Sequence, residues 1–167
     1  MENKLYLNKG NLTFEDITQS SNVAGKKSWT TGVTMADVNG DGWLDIYISV
    51  SGSGTPQKKQ NLLYINQQNN TFKEQANAYG LADDAQNMHA SFFDYDRDND
   101  LDVFLIVNPV DYSMSNVNNI KERALNGEAL STDKLFRNEG NGQFTDVSKE
   151  AGISIEGYSL GVATADL

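Results

Sequence analysis

Asp37-Val38-Asn39-Gly40-Asp41-Gly42-Trp43-Leu44-Asp45 returns as Asp94-Tyr95-Asp96-Arg97-Asp98-Asn99-Asp100-Leu101-Asp102, and after a longer interval Ala36-Asp37 begins again at Ala165-Asp166. Side-chain oxygens stand at positions 1, 3, 5 and 9 of both copies, with Gly42 at position 6 of the first and Asn99 in its place in the second. The flanking residues alternate with a period of two rather than 3.6: Thr31, Val33 and Met35 lead into the first copy, and Ile46, Ile48 and Val50 follow it. Side chains alternate across a strand, so this pattern places a strand on each side of the acidic loop.

A second marker recurs in step with the first. Leu5-Tyr6-x-Asn8 comes back as Leu63-Tyr64-x-Asn66 and Leu135-Phe136-x-Asn138, with Phe14, Phe72 and Phe144 following at a constant offset. Its intervals match those of the acidic loops almost to the residue, the second again the longer. Gly10-Asn11, Asn69-Asn70 and Gly140-Asn141-Gly142 separate the two halves of this marker, and such residues favour the positive φ angles of hairpin turns. Each repeat therefore reads as strand, acidic loop, strand, longer loop, strand, tight hairpin, strand. The expected fold is all-β: four-stranded antiparallel sheets repeated in series, as in the blades of a β-propeller.

Residues 3–28 read as the last two strands of one blade, 29–76 and 87–148 as complete blades, and 158–167 as the first strand of another. So read, the chain is a fragment of a longer array. The extra length of the second blade falls at 109–131, an insertion suited to recognition, with a short helix expected near 118–125.

The formal charge of −10 argues against nucleic acid, whose binding needs clustered Lys and Arg, and points to cations. No apolar run is long enough for a membrane span, and the start Met1-Glu2-Asn3-Lys4 has no signal-peptide core. With no cysteine there is no disulfide, thiolate zinc site or thiol chemistry.

The two loops carry most of the negative charge. Asp37, Asp41 and Asp45 lie in the first, and Asp94, Asp96, Asp98, Asp100 and Asp102 in the second, offset only by Arg97. Oxygen donors at alternate positions of a tight loop form a cage for a hard cation. Calcium, which takes six to eight oxygens, fits better than magnesium, which keeps several waters. The Trp43 and Asp100 backbone carbonyls are the expected donors at position 7. Two calcium ions are thus expected, one held by Asp37, Asn39, Asp41, Trp43 and Asp45, the other by Asp94, Asp96, Asp98, Asp100 and Asp102. An EF-hand is excluded, because position 12 is Ile48 in one copy and Leu105 in the other where that motif needs a bidentate Glu and a following helix.

The pattern D-x-D/N-x-D-G-x-x-D between strands, with L-Y-x-N-x-G-x-G-x-F-x-D-V ahead of the next unit, resembles the FG-GAP/VCBS repeat family. It is clearest in Lys134-Leu135-Phe136-Arg137-Asn138-Glu139-Gly140-Asn141-Gly142-Gln143-Phe144-Thr145-Asp146-Val147. The resemblance implies a propeller similar to the seven-bladed head of integrin α subunits, bound calcium, and an extracellular, cell-surface or periplasmic setting. It implies no reaction.

The expected role is a non-enzymatic binding or adhesion scaffold for a protein or glycan ligand, built with the remaining blades of its chain. The competing reading is part of a calcium-dependent carbohydrate-active enzyme of the propeller-lyase type. His89, the one histidine, stands in the column of Gly32 and Gly161 and shows no partner acid or base, so packing is expected of it rather than catalysis. Trp29, Trp43, Phe92, Phe93 and Tyr95 could stack on sugars, but alternating aromatics more often pack between blades.

Overall fold

The structure, a computed structural model, describes residues 2–25, 28–52, 55, 59–108, 126–157 and 159–165. Strands β1 (Tyr6–Gly10) and β2 (Thr13–Asp16) form a two-stranded hairpin. Strands β3 (Trp29–Ala36), β4 (Asp45–Ser51), β5 (Leu62–Asn66) and β6 (Phe72–Glu74) follow as a four-stranded antiparallel sheet in sequence order. After a one-turn helix α1 (Ala76–Tyr79), strands β7 (Asn87–Phe93), β8 (Asp102–Val107), β9 (Lys134–Asn138) and β10 (Phe144–Asp146) repeat that order in a second sheet. The all-β, four-stranded antiparallel repeat expected from the sequence is what forms.

The two sheets share one register. Ile46 faces Tyr64 in the first and Val103 faces Phe136 in the second, and Phe72 and Phe144 lie opposite Asn66 and Asn138. Both innermost strands are also irregular at the same repeat position, between Thr30 and Gly32 in β3 and between Asn87 and His89 in β7. Such bulges bend a strand and increase its twist.

The alternation in the sequence marks Ile46, Ile48 and Val50 as an inward face, yet β4 is buried on both. Those three residues pack with Val23, Leu62, Tyr64 and Phe72, whereas Tyr47 from the opposite face joins Leu63 and Ile65 against Ala90, Val103, Leu105 and Val107 of the second sheet. Sheets stacked side by side around an axis are covered on both faces, as in a propeller. Among the described residues, β1 and β2 repeat the outer pair with no inner strands beside them. Their Tyr6 and Phe14 are accordingly more than half exposed, where the matching Tyr64 and Phe72 are buried.

Contact between the sheets is closest where β3 meets β7. The hydroxyls of Thr31 and Thr34 donate to the carbonyls of Asn87 (2.6 Å) and Ala90 (2.7 Å). A Cβ added to Gly32 would lie 2.7 Å from the Met88 carbonyl and 3.1 Å from His89 Nδ1, so only glycine lets the strands approach so closely. Behind them the Tyr47 hydroxyl donates to the Leu81 carbonyl (3.0 Å) and accepts from Asn61 Nδ2 (2.8 Å), while its ring meets Phe92 edge-on.

Most of the 109–131 insertion, including the helix expected at 118–125, lies outside the described residues. Its end is tied down: Ser131 Oγ bonds the Glu156 carboxylate, and Thr132 pairs with Glu156. Residues 159–165, expected as part of a further first strand, are described without strand pairing. Asp166 lies outside the described residues.

Candidate metal centre

Each acidic loop joins the first two strands of a sheet, so its ends are fixed by the β3–β4 or the β7–β8 ladder. Within the first loop the side chains fold back onto main-chain N–H groups. Asp37 accepts from the N–H of Asp41 (3.0 Å) and of Gly42 (2.7 Å), Asn39 Oδ1 accepts from Asp41 N–H (3.1 Å), and Asp41 Oδ1 accepts from Trp43 N–H (2.9 Å). Asn39 Nδ2 donates to Asp41 Oδ2 at 3.2 Å. The turn this creates needs left-handed backbone at Gly40 (φ +70°) and Gly42 (φ +86°).

The second loop follows the same path. Asp94 accepts from Arg97, Asp98 and Asn99 N–H groups, and Asp98 Oδ1 accepts from Asp100 N–H (3.0 Å). Asn99 sits at φ +75°, in the left-handed conformation expected of the residue that replaces Gly42. Arg97, at the position of Gly40, is left-handed as well, at φ +68°. The carboxylates of Asp94, Asp96 and Asp102 offer oxygens that all lie within 4.8 Å of one another. Positions 1, 3 and 9 are thereby brought together. Asp98 at position 5 instead supports the backbone of the loop, and Trp43 and Asp100 take part through their main-chain N–H groups.

Position 9 is the buried member of each set. Asp45 is fully buried and accepts from Val38 N–H (3.0 Å) and Asn66 N–H (2.8 Å); Asp102, equally buried, accepts from Tyr95 N–H (2.6 Å) and Asn138 N–H (2.8 Å). Burial pushes both carboxyl groups above the usual carboxylate range; these N–H donors pull them back, and repulsion from neighbouring loop carboxylates pushes them further up. Asp100 is pushed up to about 6, first by burial, then by its hydrogen bond with Asp98 and by repulsion from Asp98, Asp102 and Asp96. Its Oδ1 is closed off from solvent with no hydrogen-bond partner.

Asn66 and Asn138, the asparagines of the recurring Leu-Tyr/Phe-x-Asn marker, do more than close a hairpin. Asn66 Nδ2 donates to Leu44 O (3.0 Å), and Asn138 Nδ2 donates to Leu101 O (3.3 Å), so each ties the end of its own acidic loop to the third strand. Each also accepts from the N–H two residues on, as Asn8 does, which starts the hairpin. The sequence exposes this column but not its service to the loops.

A family model described as FG-GAP-like repeat matches residues 1–48 and 50–105. The chain belongs to the FG-GAP-like repeat family. The FG-GAP-like units are offset from the sheets: the first runs from β1 through most of β4, and the second from the end of β4 through most of β8. Each unit thus supplies the outer strands of one sheet and the inner strands of the next, with the acidic loop inside it. No curated protein matches the chain.

The donor set suits a cation. Two ligands on opposite sides of one calcium stand about 5 Å apart, given Ca–O distances of about 2.3–2.6 Å, and the second loop's three carboxylates fall within that reach. Their mutual repulsion is the charge imbalance that a divalent ion would relieve.

Proposed function

We propose that this chain is a calcium-binding β-propeller module of a secreted or cell-surface protein and serves as a binding or adhesion scaffold. The observation that carries the reading is the convergence of Asp94, Asp96 and Asp102 on a loop whose backbone is already fixed. The first loop supports it with Asp37, Asn39, Asp41 and Asp45 in the same frame, and on this reading the backbone carbonyls of Trp43 in the first loop and Asp100 in the second would be the position 7 donors. Open loops of this kind fill at the millimolar calcium of extracellular fluids rather than at the low levels of a cytosol. On this reading the role is non-catalytic: His89 packs against Gly32, which fits packing rather than proton transfer, and the 109–131 insertion is the segment suited to recognise a protein or glycan.

The test is thermal unfolding of the protein in EDTA and in calcium. A ligand that binds only the folded state at a hundred times its Kd adds about 2.7 kcal/mol per site. Calcium should raise Tm by several degrees, and Asp96→Ala should remove part of that gain. An unfolding curve that does not respond to calcium would sink the reading.

A further inference from the structure

We infer that the two loops bind cations cooperatively and that the Asn138 side chain is the link between them. The inference rests on the calcium reading above and concerns how its two sites communicate. Asp45 of the first loop accepts from Val38 N–H at 3.0 Å. The Val38 carbonyl accepts from Asn138 Nδ2 at 3.3 Å, a bond that spans 100 residues and joins the two sheets. Asn138 N–H in turn donates to Asp102 of the second loop at 2.8 Å. Val38, Asn138 and both carboxylates are buried, so water does not compete for these bonds. Three hydrogen bonds, joined through the Val38 backbone and through the Asn138 residue, therefore link the position 9 ligand of one site to the position 9 ligand of the other.

Asn138 also holds the Leu101 carbonyl at 3.3 Å, next to Asp102. It therefore grips both loops at once. Asn66 occupies the same place in the first sheet, but its amide serves only its own loop, at Leu44. A cation at the first site fixes Asp45, and with it the N–H of Val38, the residue whose carbonyl Asn138 meets. The second site then binds in a loop already ordered, and reciprocity requires the same gain in the other direction.

Calorimetric titration with CaCl₂ of the whole chain and its single-site variants tests this. Asp41→Ala disables the first site, and Asp96→Ala the second. The Kd of the second site should rise at least about fivefold when the first is disabled, and the converse change should have the same factor. In the Asn138→Ala background that factor should fall to one, whereas Asn66→Ala should leave it intact. A second-site Kd indifferent to Asp41→Ala in the otherwise native chain overturns the inference without any change at Asn138, and leaves calcium binding itself standing. A coupling that persists undiminished in Asn138→Ala also overturns it. Folded protein that takes up no calcium at all defeats both readings.

Discussion

Left-handed backbone at positions 4 and 6 of each acidic loop turns the chain sharply enough for its carboxylates to converge. Gly40 holds φ +70° with nothing within 4 Å of an added Cβ, so Gly40→Ala strains the backbone alone and should cost about 1 kcal/mol. Arg97, at φ +68° in the matching place, should show the reverse: Arg97→Gly gains a similar amount. Urea midpoints in saturating calcium measure both. Asn99 is legible as a left-handed residue, since Asn tolerates that conformation. Arg97 is not, because nothing in an arginine signals it, and its conformation is set by the N–H bonds that Asp94 collects from around the turn.

The loop carboxyls also fix a dependence on pH at this scale. Asp45, Asp100 and Asp102 are raised above the usual carboxylate range, so the folded state holds more protons than the unfolded chain. The stability they contribute is complete in acid and is lost as pH climbs through the folded values, about 6 for Asp100. Without metal, the urea midpoint should therefore fall between pH 5 and 7. Exposed Asp16, lowered to about 2, has the opposite sign but titrates below that window. Saturating calcium should invert the slope, because its ligands must be deprotonated.

Among elements, β4 and the β3–β7 seam carry the stacking of sheets. Gly32→Ala places a Cβ 2.7 Å from a backbone carbonyl that cannot swing aside, and should cost about 2 kcal/mol of overpacking. Tyr47→Phe leaves the buried Leu81 carbonyl without its donor and Asn61 Nδ2 without its acceptor, a loss of about 2 kcal/mol. Both are read from denaturant unfolding. The alternation of Ile46, Ile48 and Val50 reveals the strand but only one of its buried faces. The other face, with Tyr47 and Ser49, looks from the sequence like the polar side of an ordinary sheet, and is inward because a second sheet lies on it. Helix α1, a single turn, is too short to leave a periodic trace.

At the scale of the molecule, the recurring columns determine the architecture. Two markers repeating in step, the acidic loop and the Leu-Tyr/Phe-x-Asn hairpin, are enough to define the sheets, their strand order and the place of the insertion. The offset of the FG-GAP-like units from the sheets is visible in the same spacing. The bridge from Asn138 to Val38 is not, since a bond across 100 residues depends on how one sheet lies against the next.

That two-loop arrangement is put to its most direct test by titrating metal-free, folded protein with CaCl₂ in a calorimeter. Saturable binding of two ions per chain is expected, reduced to one by Asp41→Ala or by Asp96→Ala. A flat titration of protein that retains its β-sheet spectrum would contradict it.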